Sequence, residues 1–276
     1  MTAGADHKAK LDQLAAAGTG DSDIAGAALA CAGLARPKLD LEPYYAHLGE
    51  ISAAAVRALS HGSAAAADPR HVGFALSATL RAGFGYEGDR TSYDDLKNAD
   101  LAHVIDRRRG LPVALGILYI HAARALGATA HGINFPGHFV VGIATGAGSI
   151  LVDPFNGGQA VDAEDLEAML PMGTKLVQEH VAALSDRGTL IRLQNNILTR
   201  SREGGDWPRA ALTLEILSRI APENAQFRYE LGDAYTRIER PNAARKTLQD
   251  AIALAPDAPW SAEARRLLAA TKRSLN

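Results

Sequence analysis

The chain has 276 residues, 47% of them hydrophobic and 22% charged, enough to bury a substantial core in one large domain or two modest ones. Its 29 Lys and Arg against 31 Asp and Glu leave a formal net charge of -2, so no global field recruits nucleic acid or an anionic membrane. A single cysteine, Cys31, excludes an internal disulfide and any multi-cysteine zinc site. No stretch has signal-peptide or membrane-spanning character, which makes the cytoplasm the expected compartment and a membrane an unexpected partner.

Residues 1–20 mix Gly, Ala, Ser, Thr, Lys and Asp without clear periodicity and are expected to form a flexible tail. Two helices follow between Asp23 and Leu59, "DIAGAALACAGLA" and "LEPYYAHLGEISAAAVRAL", the second tolerating Pro43 in its first turn. "PRHVGFALSATL" reads as a helix ended by the glycine-rich "AGFGYEGD". In "SYDDLKNADLAHVIDRRRG", Ser92 with acidic residues behind it reads as a helix start. "LPVALGILYIHAARALG" places Pro112 at the first helical position and Gly127 just past the end, and its apolar surface runs nearly all round to Tyr119, which predicts a central buried helix.

Thereafter the period becomes that of strands: "AHGINF", "HFVVGIA" and "SILVDP", with a turn at Thr145 to Gly148 between the last two. Symmetric pairing about that turn sets Asp153 opposite Val140. His138, two residues from Val140, then becomes its diagonal neighbour at roughly 7 to 8 Å between Cα atoms. An imidazole and a carboxylate can hydrogen-bond across that gap. Such a pair is half of a nucleophilic triad, whose thiol would suit the first turn of the preceding buried helix. That turn reads "GLPVAL" and holds no Cys, Ser or Thr.

From Thr189 the chain is helical again and repeats itself. Pro222 and Pro256 lie 34 positions apart, and the same offset pairs Ala210 with Ala244, Leu214 with Leu248 and Ile197 with Leu231. That is the tetratricopeptide period, in which small residues let paired helices approach. Trp207 and Trp260 read as packing residues at helix starts. "DRRRG" reads as a solvated or salt-bridged edge, and "GFGYEG" only superficially as a phosphate loop, since it follows a helix-like segment rather than a strand. His103, His121, His131 and His180 carry no recognisable constellation. A metal shared by His131, His138 and Asp153 is disfavoured, because the odd spacing of the histidines puts them on opposite faces of an extended chain.

Taken together, "RPKLDLEPYYAHLGEI", "VIDRRRGLPVALGILYIHAARALG", "GINFPGHFVV", "ILVDPFNGG" and "GDWPRAALTLEILSRIAP" resemble the SirB family of transglutaminase-like proteins with C-terminal tetratricopeptide repeats. The resemblance implies an α+β fold: a transglutaminase-like (papain-like) domain with an antiparallel sheet over residues 21–185, then an all-α repeat extension over 186–276. It also implies that His138 and Asp153 stand where active relatives hold catalytic His and Asp, and that their cysteine falls at Pro112. Phe135, Pro136, Gly137, Phe139, Asn156, Gly157 and Gly158, from "PGHF" and "DPFNGG", are expected to line the cleft.

The resulting expectation is a pseudo-enzyme: a regulatory or scaffolding module that binds protein partners through its cleft and repeats, with no cofactor, metal or nucleic acid. Cys31, in an apolar helix, reads as core. Two other readings stay open at this stage. His138, oriented by Asp153, could act as general base on water or a substrate hydroxyl in a hydrolase or acyltransferase without a cysteine, or the pair could be purely structural.

Overall fold

Short acidic side chains start many of the helices. In the computed structural model, which describes residues 3–59, 67–170, 172 and 174–273, the expected N-terminal tail contains a helix, α1 (Ala3–Ala17). Leu11 and Leu14 are its anchors at 0% and 2% exposure, and alanines, the best helix formers, fill the turns around them. An apolar pair three residues apart is too sparse a stripe to stand out in a polar sequence.

Asp23 then caps α2 (Ile24–Ala35) by accepting from the Gly26 amide at 2.8 Å. The chain continues through α3 (Glu42–Ala58) and α4 (Pro69–Ser77), which runs directly into a π-helical turn over Ala78–Gly83. After β1 (Glu87–Gly88) the expected helix at Ser92 does not form. Instead Asp89 accepts from the Thr91 and Ser92 amides and the Ser92 hydroxyl, a local bonding pattern that holds this segment as a loop. Asp100 caps the helix that follows, α5 (Leu101–Arg107), through the Ala102 and His103 amides. β2 (Arg109–Gly110) pairs in parallel with β1, bringing Glu87 beside Arg109.

α6 (Pro112–Ala125) begins at Pro112, and Gly127 just past its end has φ of 84°, the left-handed conformation that glycine adopts without steric cost. Every residue from Pro112 to Ile120 is buried. This central helix packs on a five-stranded antiparallel sheet of β3 (Thr129–Ile133), β4 (Val140–Thr145), β5 (Gly148–Asp153), β6 (Gln159–Val161) and, after α7 (Ala163–Met169), β7 (Ala183–Leu184), in the order β6-β5-β4-β3-β7. Val141 opposes Val152 and Thr145 opposes Gly148, the register expected for the His138 hairpin. The Phe139 ring lies over two glycines, Gly116 of α6 and Gly132 of β3, where an added Cβ would come within 2.4 and 2.5 Å of it.

α8 (Asp186–Glu203) opens on a buried ion pair. Arg124 engages both carboxylate oxygens of Asp186, at 2.7 and 2.9 Å, and the Ser22 amide adds a third bond at 2.7 Å. Leu190 and Leu193 are buried too, so the first turns of α8 belong to the first of two compact units. The division between the two compact units falls after Leu193, inside α8 rather than at its start.

The second unit takes up the chain from Gln194 and includes Leu11–Ala16. Its helices are α9 (Trp207–Ile220), α10 (Ala225–Arg237), α11 (Pro241–Leu254) and α12 (Ser261–Arg273). α9 and α11 start and end 34 positions apart, with Ala210, Leu214, Ala244 and Leu248 each 0% exposed and Pro222 and Pro256 directly beyond their C-caps. The period in the sequence is thus the period of the helices. Gly232 of α10 lies so close to Leu248 that an added Cβ would come within 2.6 Å of its side chain. Trp260 stacks on Tyr229 at 4.8 Å, and Arg237 covers the Trp207 ring at 4.1 Å.

Candidate functional site

His138 stands just outside the sheet, two residues before β4. The Phe135 carbonyl accepts from the His138 amide at 3.0 Å, with Pro136 in the second position and Gly137, φ 73°, in the third, the residue pattern of a type II turn. Asp153 is the last residue of β5. Its Oδ2 accepts from His138 Nε2 at 2.8 Å and from Asn156 Nδ2 at 2.6 Å, while Oδ1 accepts from the Phe155 and Asn156 amides at 2.9 and 3.2 Å.

A carboxylate only accepts, so Nε2 carries the proton, and in the neutral ring Nδ1 keeps its lone pair. The Asp153 side chain is 1% exposed and that of His138 18%. Burial pushes the Asp153 carboxyl up, but the bonds from His138 and Asn156 outweigh it and hold the group below the usual carboxylate range. The pair is therefore a fixed anion orienting a partly accessible imidazole. Arg192 donates to the His138 carbonyl at 3.2 Å, adding a second restraint on the turn.

Leu111, Pro112, Val113 and Ala114, at the start of α6, are all buried. Pro112 lies one turn before Gly116, on the same helix face, and Gly116 is the residue that meets Phe139. Cys31 is 4% exposed within α2, and burial drives its thiol far above the ordinary range, the opposite of an activated thiolate. One serine does meet a histidine: Ser52 Oγ lies 2.9 Å from His121 Nε2. The Leu48 carbonyl lies 3.1 Å from that same nitrogen. A nitrogen facing a carbonyl carries the proton, so it cannot also take one from the serine. Among the described residues no three His, Cys, Asp or Glu side chains are grouped as a metal site would need.

Residues 42–195 match the model of the transglutaminase-like superfamily, and residues 202–271 match a tetratricopeptide repeat model. The chain belongs to the transglutaminase-like superfamily. Its relatives include the UPF0162 protein of Xylella fastidiosa strain 9a5c, 32% identical over 179 residues, which are 62% of this chain and 64% of that protein. Another, the UPF0162 protein of Vibrio cholerae, is 36% identical over 114 residues, 39% of this chain and 41% of that protein. F-box only protein 21 of Homo sapiens is 26% identical over 152 residues, 51% of this chain and 24% of that protein. In each case the match spans less than two thirds of the relative's length. No solved structure matches the chain.

Within this superfamily member the expected cleft residues separate into three groups. Phe135 and Phe139 are 1% exposed, so they are core and not lining: Phe135 packs with Val161 and Leu166, and Phe139 covers the two glycines. Asn156 and Gly157 line a cavity of about 600 Å³, whereas Gly158 lines another of about 730 Å³. Pro136 and Gly137 form the turn itself and line neither.

Sequence reasoning passed over two features beside the pair. Tyr119 of α6 is 1% exposed with its hydroxyl unpaired among the described residues, and Gly158 (φ 78°) approaches so closely that a Cβ there would come within 2.5 Å of that oxygen. Burial raises the Tyr119 hydroxyl well above its ordinary value, and the nearby Asp153 charge adds to the effect. The second feature is the gathering of Arg81 and Arg90 around the smaller cavity with Arg107 and Arg109, which the sequence marks only as a salt-bridged edge. An apolar helix and a glycine-rich loop hide both in the sequence.

Proposed function

We propose that the chain is a non-catalytic member of the SirB branch of the superfamily: a cytoplasmic interaction module in which His138 and Asp153 form a polar clamp and the helical repeats offer a second surface for a protein partner. The observation that carries this reading is the start of α6, where Pro112 stands at the position implied for the nucleophile, with the chain's one cysteine buried in α2. Without a thiol or hydroxyl in that turn to activate, the imidazole has no covalent step to assist there. The tetratricopeptide match over residues 202–271 supports a protein as the partner. A net charge of -2 supports neither nucleic acid nor an anionic membrane as one. Among the described residues, no helix is long and apolar enough to cross a membrane.

A second reading rests on the orientation of the ring. Asp153 engages Nε2, which leaves Nδ1 with its lone pair and no hydrogen bond among the described residues, as a general base toward water or a substrate hydroxyl requires. Steady-state hydrolysis of activated esters and peptide amides separates the two. The clamp reading expects wild type and His138→Ala to match the buffer rate. Turnover about tenfold or more above buffer, lost in His138→Ala, would overturn it in favour of the general base.

A further inference from the structure

The cavity beside the His138–Asp153 pair is rich in guanidinium groups, and its acids do not balance them. It is formed where the parallel strands β1 and β2 meet the Phe155–Gly157 loop, and it measures about 600 Å³, in the range of small-ligand sites. Its two carboxylates are already taken. Asp89 pairs with Arg107 at 2.8 Å, and Glu87 pairs with Arg109.

Two cations are left over. Arg90 lies over the Phe155 ring at 5.1 Å and donates to the Asn156 amide oxygen. Arg81 lies against Gly157, where an added Cβ would fall 2.2 Å from its Cδ. Gly157 has φ of 74°, so its backbone conformation favours glycine, and the absence of a side chain there leaves room for the Arg81 stem. Neither arginine has a carboxylate partner among the described residues, and both are exposed. A concave site with two uncompensated guanidiniums favours a multiply charged oxyanion, because each planar fork can donate two parallel hydrogen bonds to phosphoryl or carboxylate oxygens.

We propose that this cavity binds the phosphoryl group of a small ligand, held by Arg81 and Arg90. A dianionic group matches the two free cations, where a lone carboxylate would match one. This site is distinct from the proposed clamp and goes beyond it, but Asn156 joins the two: its amide oxygen takes Arg90 and its nitrogen donates to Asp153.

The test is calorimetric titration of the full-length chain with inorganic pyrophosphate, with adenosine diphosphate and with succinate as a phosphate-free dianion. The expected result is saturable binding of both phosphoryl probes, weakened roughly tenfold or more in Arg81→Gln and in Arg90→Gln and unchanged in Arg57→Gln, an exposed arginine elsewhere on the surface. Tighter binding of the diphosphate nucleoside identifies a nucleotide as the source. Equal binding identifies a bare phosphoryl group. Both arginines are exposed, so the variants should melt with the wild type, and a melt at each step checks this. Absence of saturable pyrophosphate binding, equal binding by wild type and both arginine variants, or succinate binding as tightly as pyrophosphate overturns the proposal.

Discussion

Replacing Asp153 with alanine is expected to cost about 3–5 kcal/mol of folding stability, because it leaves several largely buried hydrogen-bond donors unpaired at about 1–3 kcal/mol each. Four donors converge on this carboxylate, and the substitution strands the Phe155 and Asn156 amides as well as His138 Nε2 and the Asn156 side chain. Asp153→Asn keeps an oxygen for the two amides but turns a second donor toward His138 and Asn156, so its loss should be smaller. Urea unfolding of both variants measures the difference.

The acid dependence follows from the same contacts. Because the folded carboxyl sits below its ordinary value, its contribution is full above the unfolded value near pH 4 and fades as pH falls through the folded one. Asp89, held far below the ordinary range by its bonds to Ser92, Asn98 and Arg107 despite its burial, adds to the same limb. Asp153→Asn should therefore show a shallower loss of stability between neutral pH and about pH 3 than wild type. An equal slope in both proteins would mean that the carboxylate is not paired in solution.

Phe139→Ala is the second large effect, also about 3–5 kcal/mol. The ring fills the gap left by the missing side chains of Gly116 and Gly132, and at 1% exposure it has no solvent face. The alternative that the sequence suggested, an aromatic lining the cleft, would lose ligand contacts and little stability. A shift in urea midpoint corresponding to less than about 1 kcal/mol would restore that alternative.

That contrast shows what the sequence could and could not reveal. The hairpin register was legible because a short turn and strict alternation leave few ways to pair "HFVVGI" with "ILVDP", and the His138–Asp153 bond follows from the register. The 34-residue period was legible because each repeat must bury the same face, which puts Ala210 and Ala244 at equivalent positions. The fate of Phe139 was not, since the two glycines that receive it lie on other elements, Gly116 on α6 and Gly132 on β3, and only the packing of helix on sheet brings them to one ring. Nor could the start of α5 be read, because Ser92 and Asp100 are both good caps and the choice is made by Asp89 and its partner Arg107. The arginine cavity draws on four separated segments, brought together by a two-residue parallel pairing that no local pattern encodes.

The central claim is that the imidazole of His138, though held and oriented, finds no cysteine, serine or threonine in the first turn of α6, where Pro112 stands at the position implied for the nucleophile. Intact-mass measurement of the protein after brief exposure to an activated acyl ester tests this most directly. The account predicts the same adduct distribution for wild type and His138→Ala, reflecting only background acylation of surface amines. A stoichiometric acyl adduct that forms in wild type and disappears in His138→Ala would contradict it.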